Sequence, residues 1–399
     1  MLTRPKNNVT ALRRVLAVAV IAGFGVLLGA SRAEASDNLL VGILDDAQVL
    51  GNSDEAFSTL EELRAQVIRV TLRWDLVAAA KPGKGNNPDD LAYNWDQYDD
   101  AVQAAAARNI QVVFTIWGTP AWANGGKPPA RAPNKVSQLR AFAMAAARRY
   151  SGTFEPETGE HSVLPRVSRW TAWNEPNLST FLRPQFKRVK LKGKKARFIK
   201  RSPVIYARLC NSVVKGIHVA SAEAGFEPQV ACGVTAPGGT NRGDSRRPSI
   251  SPIPFVRGMK AAGAEFDVYA HHPYPQSSRE KPTDRPLANS GISLGSMWRL
   301  LLELERLYGA DMPVWITEYG YQTNPPDKFL GVSPKQQARY LRLAYGIALA
   351  NSRIEMLIWF LIVDENRDGD PTQGWQSGLK KADGKKKSAY KTFRNLPHP

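Results

Sequence analysis

Eight short apolar runs, rich in β-branched and aromatic residues, alternate along the chain with segments of helical spacing. The runs cover residues 39–44, 67–74, 112–117, 169–173, 229–234, 266–270, 313–317 and 355–360. Between them, apolar residues recur at helical intervals over 55–64, 97–108, 136–150, 203–224, 293–307 and 334–350. Most runs are continuous rather than alternating, as parallel strands buried on both faces are. This eight-fold alternation predicts an α/β fold, a single (β/α)8 TIM barrel. A doubly wound sheet is the structural alternative. It normally has fewer strands, and no G-x-G-x-x-G turn follows any run here. No Ser/Thr/Pro linker divides residues 36–399, so they are read as one domain.

Residues 1–35 stand apart. Arg4, Lys6, Arg13 and Arg14 precede an uncharged apolar run over 15–30, and Ala33-Glu34-Ala35 places small residues where a signal peptidase reads. This is the three-part pattern of a secretory signal peptide, and the run is too short to favour a permanent span. The mature protein is therefore expected to be secreted or extracytoplasmic, with no stable membrane span. The formal net charge is +18 for the whole chain. Removing 1–35 takes away five Lys/Arg and one acid and leaves +14 over 364 residues. Such a charge makes nucleic acid the first partner to consider, but an exported protein rarely meets it, and a carbohydrate partner fits better.

In a barrel, chemistry gathers at the C-terminal ends of the strands. Those ends carry Arg73-Trp74, the stretch Trp117-Gly118-Thr119-Pro120-Ala121-Trp122, Trp173-Asn174-Glu175-Pro176-Asn177, His271-His272-Pro273-Tyr274, Glu318-Tyr319-Gly320, and Trp359. Glu175 and Glu318 each end an apolar run, where a carboxylate is costly unless paired or used. Two carboxyls converging across a barrel mouth suit glycoside hydrolysis, one as acid and the other as nucleophile. A salt bridge between one of them and Arg73 is the purely structural alternative.

The runs W-N-E-P at 173–176 and I-T-E-Y-G at 316–320 resemble the acid/base and nucleophile motifs of clan A glycoside hydrolases. Arg73, His272-Pro273-Tyr274 and Trp359 follow in the clan's order, so the resemblance covers nearly all of 36–399. W-N-E-P-N and the region 118–122 look most like family thirty-nine or cellulase-like family five members. The resemblance implies Glu175 as general acid/base and Glu318 as nucleophile of a retaining mechanism. It implies that Asn174 hydrogen-bonds the sugar 2-hydroxyl, that Arg73 and Tyr274 hold Glu318 ionised, and that His272 lines the subsite or orients a carboxylate. Trp359, Trp117 and Trp122 are candidate sugar platforms, Trp359 foremost, with Trp173 and Trp375 also near strand ends. No cofactor and no metal are expected.

Weaker signals have plainer readings. Gly291-Ile292-Ser293-Leu294-Gly295 matches a nucleophile elbow, but no strand precedes it, and Ser293 is expected to begin a helix. Asp364 to Gly369 matches the first half of a calcium loop without its closing Glu, so a solvated turn is expected. Cys210 and Cys232 fall on adjacent elements and admit a disulfide, although two separate buried thiols are the expectation. Residues 183–201 hold ten Lys/Arg and no acid, in the loop that follows Glu175. A cationic rim for an acidic polysaccharide and a solvated, partly mobile insertion are both open, and Arg242, Arg246 and Arg247 lie on the same face. The function expected is cleavage of O-glycosidic bonds. A non-catalytic glycan or anionic-polymer binder on the same barrel is the alternative. Sugar, linkage and oligomeric state are not legible.

Overall fold

The computed structural model describes residues 36, 39–157, 163–190, 192–193, 196–286, 291–366 and 374–397. Residues 1–35, where a signal peptide is expected, lie outside the described residues. Eight parallel strands close into a barrel: β1 (Leu40–Leu44), β2 (Val67–Arg73), β3 (Gln111–Trp117), β4 (Arg169–Ala172), β7 (Gln229–Thr235), β8 (Val268–His271), β9 (Val314–Tyr319) and β10 (Ile354–Phe360). Each is one of the eight expected runs, shifted by no more than a few residues. The remaining two, β5 (Phe186–Val189) and β6 (Arg197–Lys200), pair antiparallel as a separate hairpin inside the basic insertion.

The expected helices appear as α2 (Ser53–Glu62), α4 (Asp96–Ala106), α6 (Val136–Arg149), α7 (Ser202–Glu223), α9 (Met297–Tyr308) and α10 (Pro334–Leu349). The short α1 (Asp46–Gly51), α3 (Trp74–Val77) and α5 (Ala121–Asn124) were not expected, nor was α8 (Pro252–Ala261), and α11 (Ser388–Arg394) is a short last helix. The Ser293 expectation holds. Ser293 and Ser296 cap each other's backbone and open the turn leading into α9.

Strand alternation sorts side chains into two cores. In β2, Ile68, Val70 and Leu72 face the helices, while Val67, Arg69, Thr71 and Arg73 face inward. Val67, Val113, Val268, Trp315, Met356 and Ile358 form a separate apolar plug inside the barrel. Above that plug lies a polar layer, Arg69, Thr115, Thr171 and Thr317, tied by Arg69 Nε to Thr115 Oγ1 at 2.7 Å and Thr171 to Thr115 at 2.7 Å. The barrel is thus filled at its floor and opens at the C-terminal mouth.

Cys210 of α7 and Cys232 of β7 form a disulfide, with Cα atoms 6.0 Å apart. This corrects the expectation of two separate thiols. The crossover helix α7 returns onto β7, the next strand of the barrel, and both cysteines point into the layer between them.

Candidate active site

A cavity of about 950 Å³ occupies the mouth, and both Glu175 and Glu318 line it. They reach it by different backbone devices. In β9, Ile316 pairs with Leu357 and Tyr319 with Trp359, so Thr317 and Glu318 together oppose Ile358. Strict alternation would send Glu318 outward behind the inward Thr317; this bulge brings it to the inner face. Glu175 follows β4 in a tight segment where Trp173 has φ +73° and Glu175 itself φ +37°. Left-handed conformations at such side chains cost roughly 1–3 kcal/mol each and persist only where the surroundings hold them. Here the Trp173 indole donates to Phe181 O at 2.8 Å.

Arg69 is the centre of the site. Its guanidinium is 1% exposed and donates to Glu318 Oε2 at 2.9 Å, Thr317 O at 3.0 Å and Asn174 Oδ1 at 2.6 Å, besides Thr115. Tyr274 donates its hydroxyl to Glu318 Oε1 at 2.9 Å. Both Glu318 oxygens therefore accept hydrogen bonds, one of them from a cation. Arg69 also fixes Asn174, whose amide nitrogen is left to donate into the cavity.

His272 lies between the two carboxyls. Its Nδ1 is 3.1 Å from Glu175 Oε1 and 3.6 Å from Glu318 Oε2, and oxygens of the two carboxyls stand within 4.8 Å. Burial holds the His272 pKa down at about 3, against the opposing pull of Glu318, so the ring is neutral. Its Nε2 faces the Arg69 guanidinium, an obligate donor, at 3.4 Å and Thr317 Oγ1 at 3.1 Å. These partners assign the proton to Nδ1, which donates to Glu175. His271, by contrast, spans Thr235 and Ile292 O inside the fold. Burial pushes Glu175 up to about 7, with the Arg69 charge opposing.

Among the residues singled out from sequence, Asn174, Glu175, His272, Tyr274 and Glu318 come together. Arg73 lines the same cavity but does not contact Glu318. Its guanidinium makes a two-pronged pair with Asp75, at 2.6–2.8 Å, and stacks over Trp117 at 4.8 Å. Gly118 permits this, because a Cβ there would lie 2.2 Å from Asp75 Oδ1. The arginine that hydrogen-bonds Glu318 is Arg69, four residues earlier on the same inward face.

The aromatic assignments also change. Trp359 is 1% exposed and hydrogen-bonds Ser377 O. Alternation in β10 points Met356, Ile358 and Phe360 inward and Trp359 outward, so Trp359 is core rather than platform. Trp122 packs edge-on against Trp74 and donates to Ala78 O, away from the cavity. Trp117 does line it, together with Phe181, Phe360 and Trp375. Trp375 is the open face, 42% exposed, stacked near Tyr274 and set edge-on to Phe360. Asp46, at the start of α1, adds a third carboxyl to the wall; burial raises its pKa, and its Oδ1 accepts from Thr71 N. Asp364 of the calcium-like stretch instead pairs with the buried Lys387 at 2.6 Å, and residues 367–373 lie outside the described residues.

No protein-family model and no curated protein matches the chain. Solved structures do. A family 39 glycoside hydrolase from the gut symbiont Bacteroides cellulosilyticus WH2 matches with a TM-score of 0.60 at 19% identity, over 90% of this chain and 63% of that one. A glucosidase from Croceicoccus marinus matches at 0.58 and 13%, over 91% and 67%. Xylanase 10B from Thermotoga petrophila RKU-1, solved with xylobiose, matches at 0.52 and 14%, over 90% and 93%. The chain has the barrel fold of these enzymes. It spans less than two thirds of the length of the family 39 enzyme.

Proposed function

We propose that the protein is a secreted glycoside hydrolase that cleaves O-glycosidic bonds with retention of configuration. The observation that carries this reading is the convergence of two unlike carboxyls on one imidazole nitrogen, with oxygens within 4.8 Å. Retaining enzymes place their carboxyls about 5–5.5 Å apart, whereas inverting ones leave about 6.5–9.5 Å for a water. The glycoside hydrolases that share the fold add support.

Each carboxyl suits one role. Glu175, with a pKa raised to about 7, carries a proton that it can give to the leaving glycosidic oxygen. Glu318, held by Arg69 and Tyr274, attacks the anomeric carbon as the C–O bond breaks, forming a glycosyl ester. Glu175, now a carboxylate, takes a proton from water; the hydroxide attacks the anomeric carbon and releases Glu318. His272 is a positioning residue, since its Nδ1–H orients Glu175. The Asn174 amide is placed to bond a sugar hydroxyl, and Trp375 offers an open ring to the C–H face of a pyranose. Export rests on the basic and apolar pattern of 1–35, and the Cys210–Cys232 disulfide suits an oxidising compartment.

A panel of nitrophenyl glycosides and of neutral and acidic polysaccharides, wild type against Glu318→Gln, tests the proposal. Hydrolysis of at least one member, lost in the variant, is the expected result. Glycan binding with no bond cleavage across the panel contradicts it and favours a binding protein.

A further inference from the structure

The cations of the β5–β6 hairpin do not stand alone. A Cβ on Gly243 would lie 2.4 Å from the Phe198 ring, so that ring packs directly on the backbone of the loop after β7. The loop after β7 carries Arg242, Arg246 and Arg247, all exposed. The two loops are also stitched at their bases. Leu178 and Ser249 form a bridge, Ile250 N donates to Asn177 O at 2.9 Å, and Asn177 Nδ2 reaches Ala236 O, Gly238 O and Ile250 O. Gln185 Nε2 ties the hairpin base to Pro176 O at 2.9 Å, one residue from Glu175. The described part of the insertion is thus anchored to the barrel at its base and through Phe198.

Charge on this surface is one-sided. Lys187, Arg188, Arg197, Lys200 and Arg201 are exposed, and among the described residues none of them is salt-bridged. The loop after β7 contributes one acid, Asp244, which pairs with Arg242. Like charges crowded on a two-stranded hairpin repel one another, and an external polyanion would relieve that repulsion. Both loops run from this surface into the cavity wall, through Leu178, Thr180 and Phe181 on one side and Ala236 and Pro237 on the other.

We infer that the hairpin and the loop after β7 form a docking surface for a polysaccharide bearing anionic groups on successive sugars, guiding it to the cavity between Glu175 and Glu318. The choice of a glycan rests on the hydrolase reading; the polyanion surface does not. Binding is measured with the full-length Glu318→Gln protein, so that no substrate is consumed, by affinity electrophoresis in gels containing polygalacturonate, dextran sulfate or uncharged dextran. The carboxylate and sulfate arms distinguish the anionic group, and retardation by either supports the inference. Binding falls steeply with salt, and replacing Lys187, Arg188, Arg197 and Lys200 by Gln weakens it about ten-fold or more. Replacing Arg242, Arg246 and Arg247 by Gln is a second, independent variant on the other loop, with the same expected direction. Circular dichroism checks that both remain folded. Equal retardation by dextran, or unchanged binding in both variants, overturns the surface. Preferential binding of duplex DNA or phosphatidylglycerol vesicles overturns the glycan assignment. Binding without turnover across the glycoside panel leaves the surface standing and removes the hydrolase reading, so the two failures are distinct.

Discussion

Replacing Glu175 by Gln should stabilise the protein near neutral pH while disabling it. Burial raises the Glu175 pKa from 4.5 to about 7. Below the lower value the carboxyl is protonated in folded and unfolded chains alike. Between the two values the unfolded chain releases its proton and the folded chain keeps it, so rising pH favours unfolding. Above the upper value both are ionised and the full penalty remains. That shift corresponds to about 3 kcal/mol. The side chain is 12% exposed to the cavity, where water relieves part of the cost, leaving about 2–3 kcal/mol. Gln carries no such titration, and its amide oxygen can accept from His272 Nδ1–H as the carboxyl oxygen does. Burial keeps the His272 pKa near 3 and the Tyr274 pKa well above its ordinary value, so neither titrates in this window. Asp45, raised to about 6, titrates in both proteins and cancels in the difference. Urea unfolding of wild type and variant, disulfide intact, from about pH 4 to about pH 8, gives the result directly. The variant's advantage should grow by about 2–3 kcal/mol across that range. Its turnover of glycosides with poor leaving groups should drop by about 10²–10⁴-fold. A stability difference that stays flat with pH, or that shrinks as pH rises, refutes the reasoning.

Three further outcomes follow from the same geometry. Arg69→Met should cut kcat/KM on an activated glycoside by roughly 10²-fold or more and cost roughly 3–5 kcal/mol in urea unfolding, since it leaves Glu318 and Asn174 without their shared partner. Arg69→Lys should not restore it, because one ammonium cannot serve four acceptors. Trp375→Ala should raise KM more than it lowers kcat, whereas Trp359→Ala should act on stability, by about 3–5 kcal/mol; KM and Tm measured on both variants separate the two roles. Replacing Cys210 and Cys232 by Ser should lower stability by about 3 kcal/mol, because the bridge closes a loop whose ends are 22 residues apart. An unchanged urea midpoint contradicts that.

Most of the barrel was legible because buried parallel strands leave continuous apolar runs, and Glu175 and Glu318 stood out as carboxyls at the ends of such runs. Arg69 was missed because it lies within its strand, where a candidate was sought only at the end. The signal was present: a single Arg inside Val67–Leu72 has to face something polar. Trp359 was misassigned for lack of the same parity argument, since Met356, Ile358 and Phe360 take the inward positions. Glu318 itself breaks parity, and the bulge responsible shows only in the pairing of β9 with β10. The Cys210–Cys232 bridge depended on how α7 sits on β7, which spacing does not specify. The β5–β6 hairpin was hidden by its charge, with Lys187, Arg188, Arg197 and Lys200 set beside Phe186, Val189, Phe198 and Ile199 in strands too short for an apolar run.

The central claim is that Glu318 becomes covalently bonded to the sugar. Once the panel identifies a hydrolysed glycoside, incubation with the matching activated 2-fluoroglycoside, followed by proteolysis and mass spectrometry, tests it directly. The account predicts one added glycosyl group on the peptide containing Glu318, and none in Glu318→Gln. A label on another residue, or release of product with inverted anomeric configuration and no labelled peptide, contradicts it.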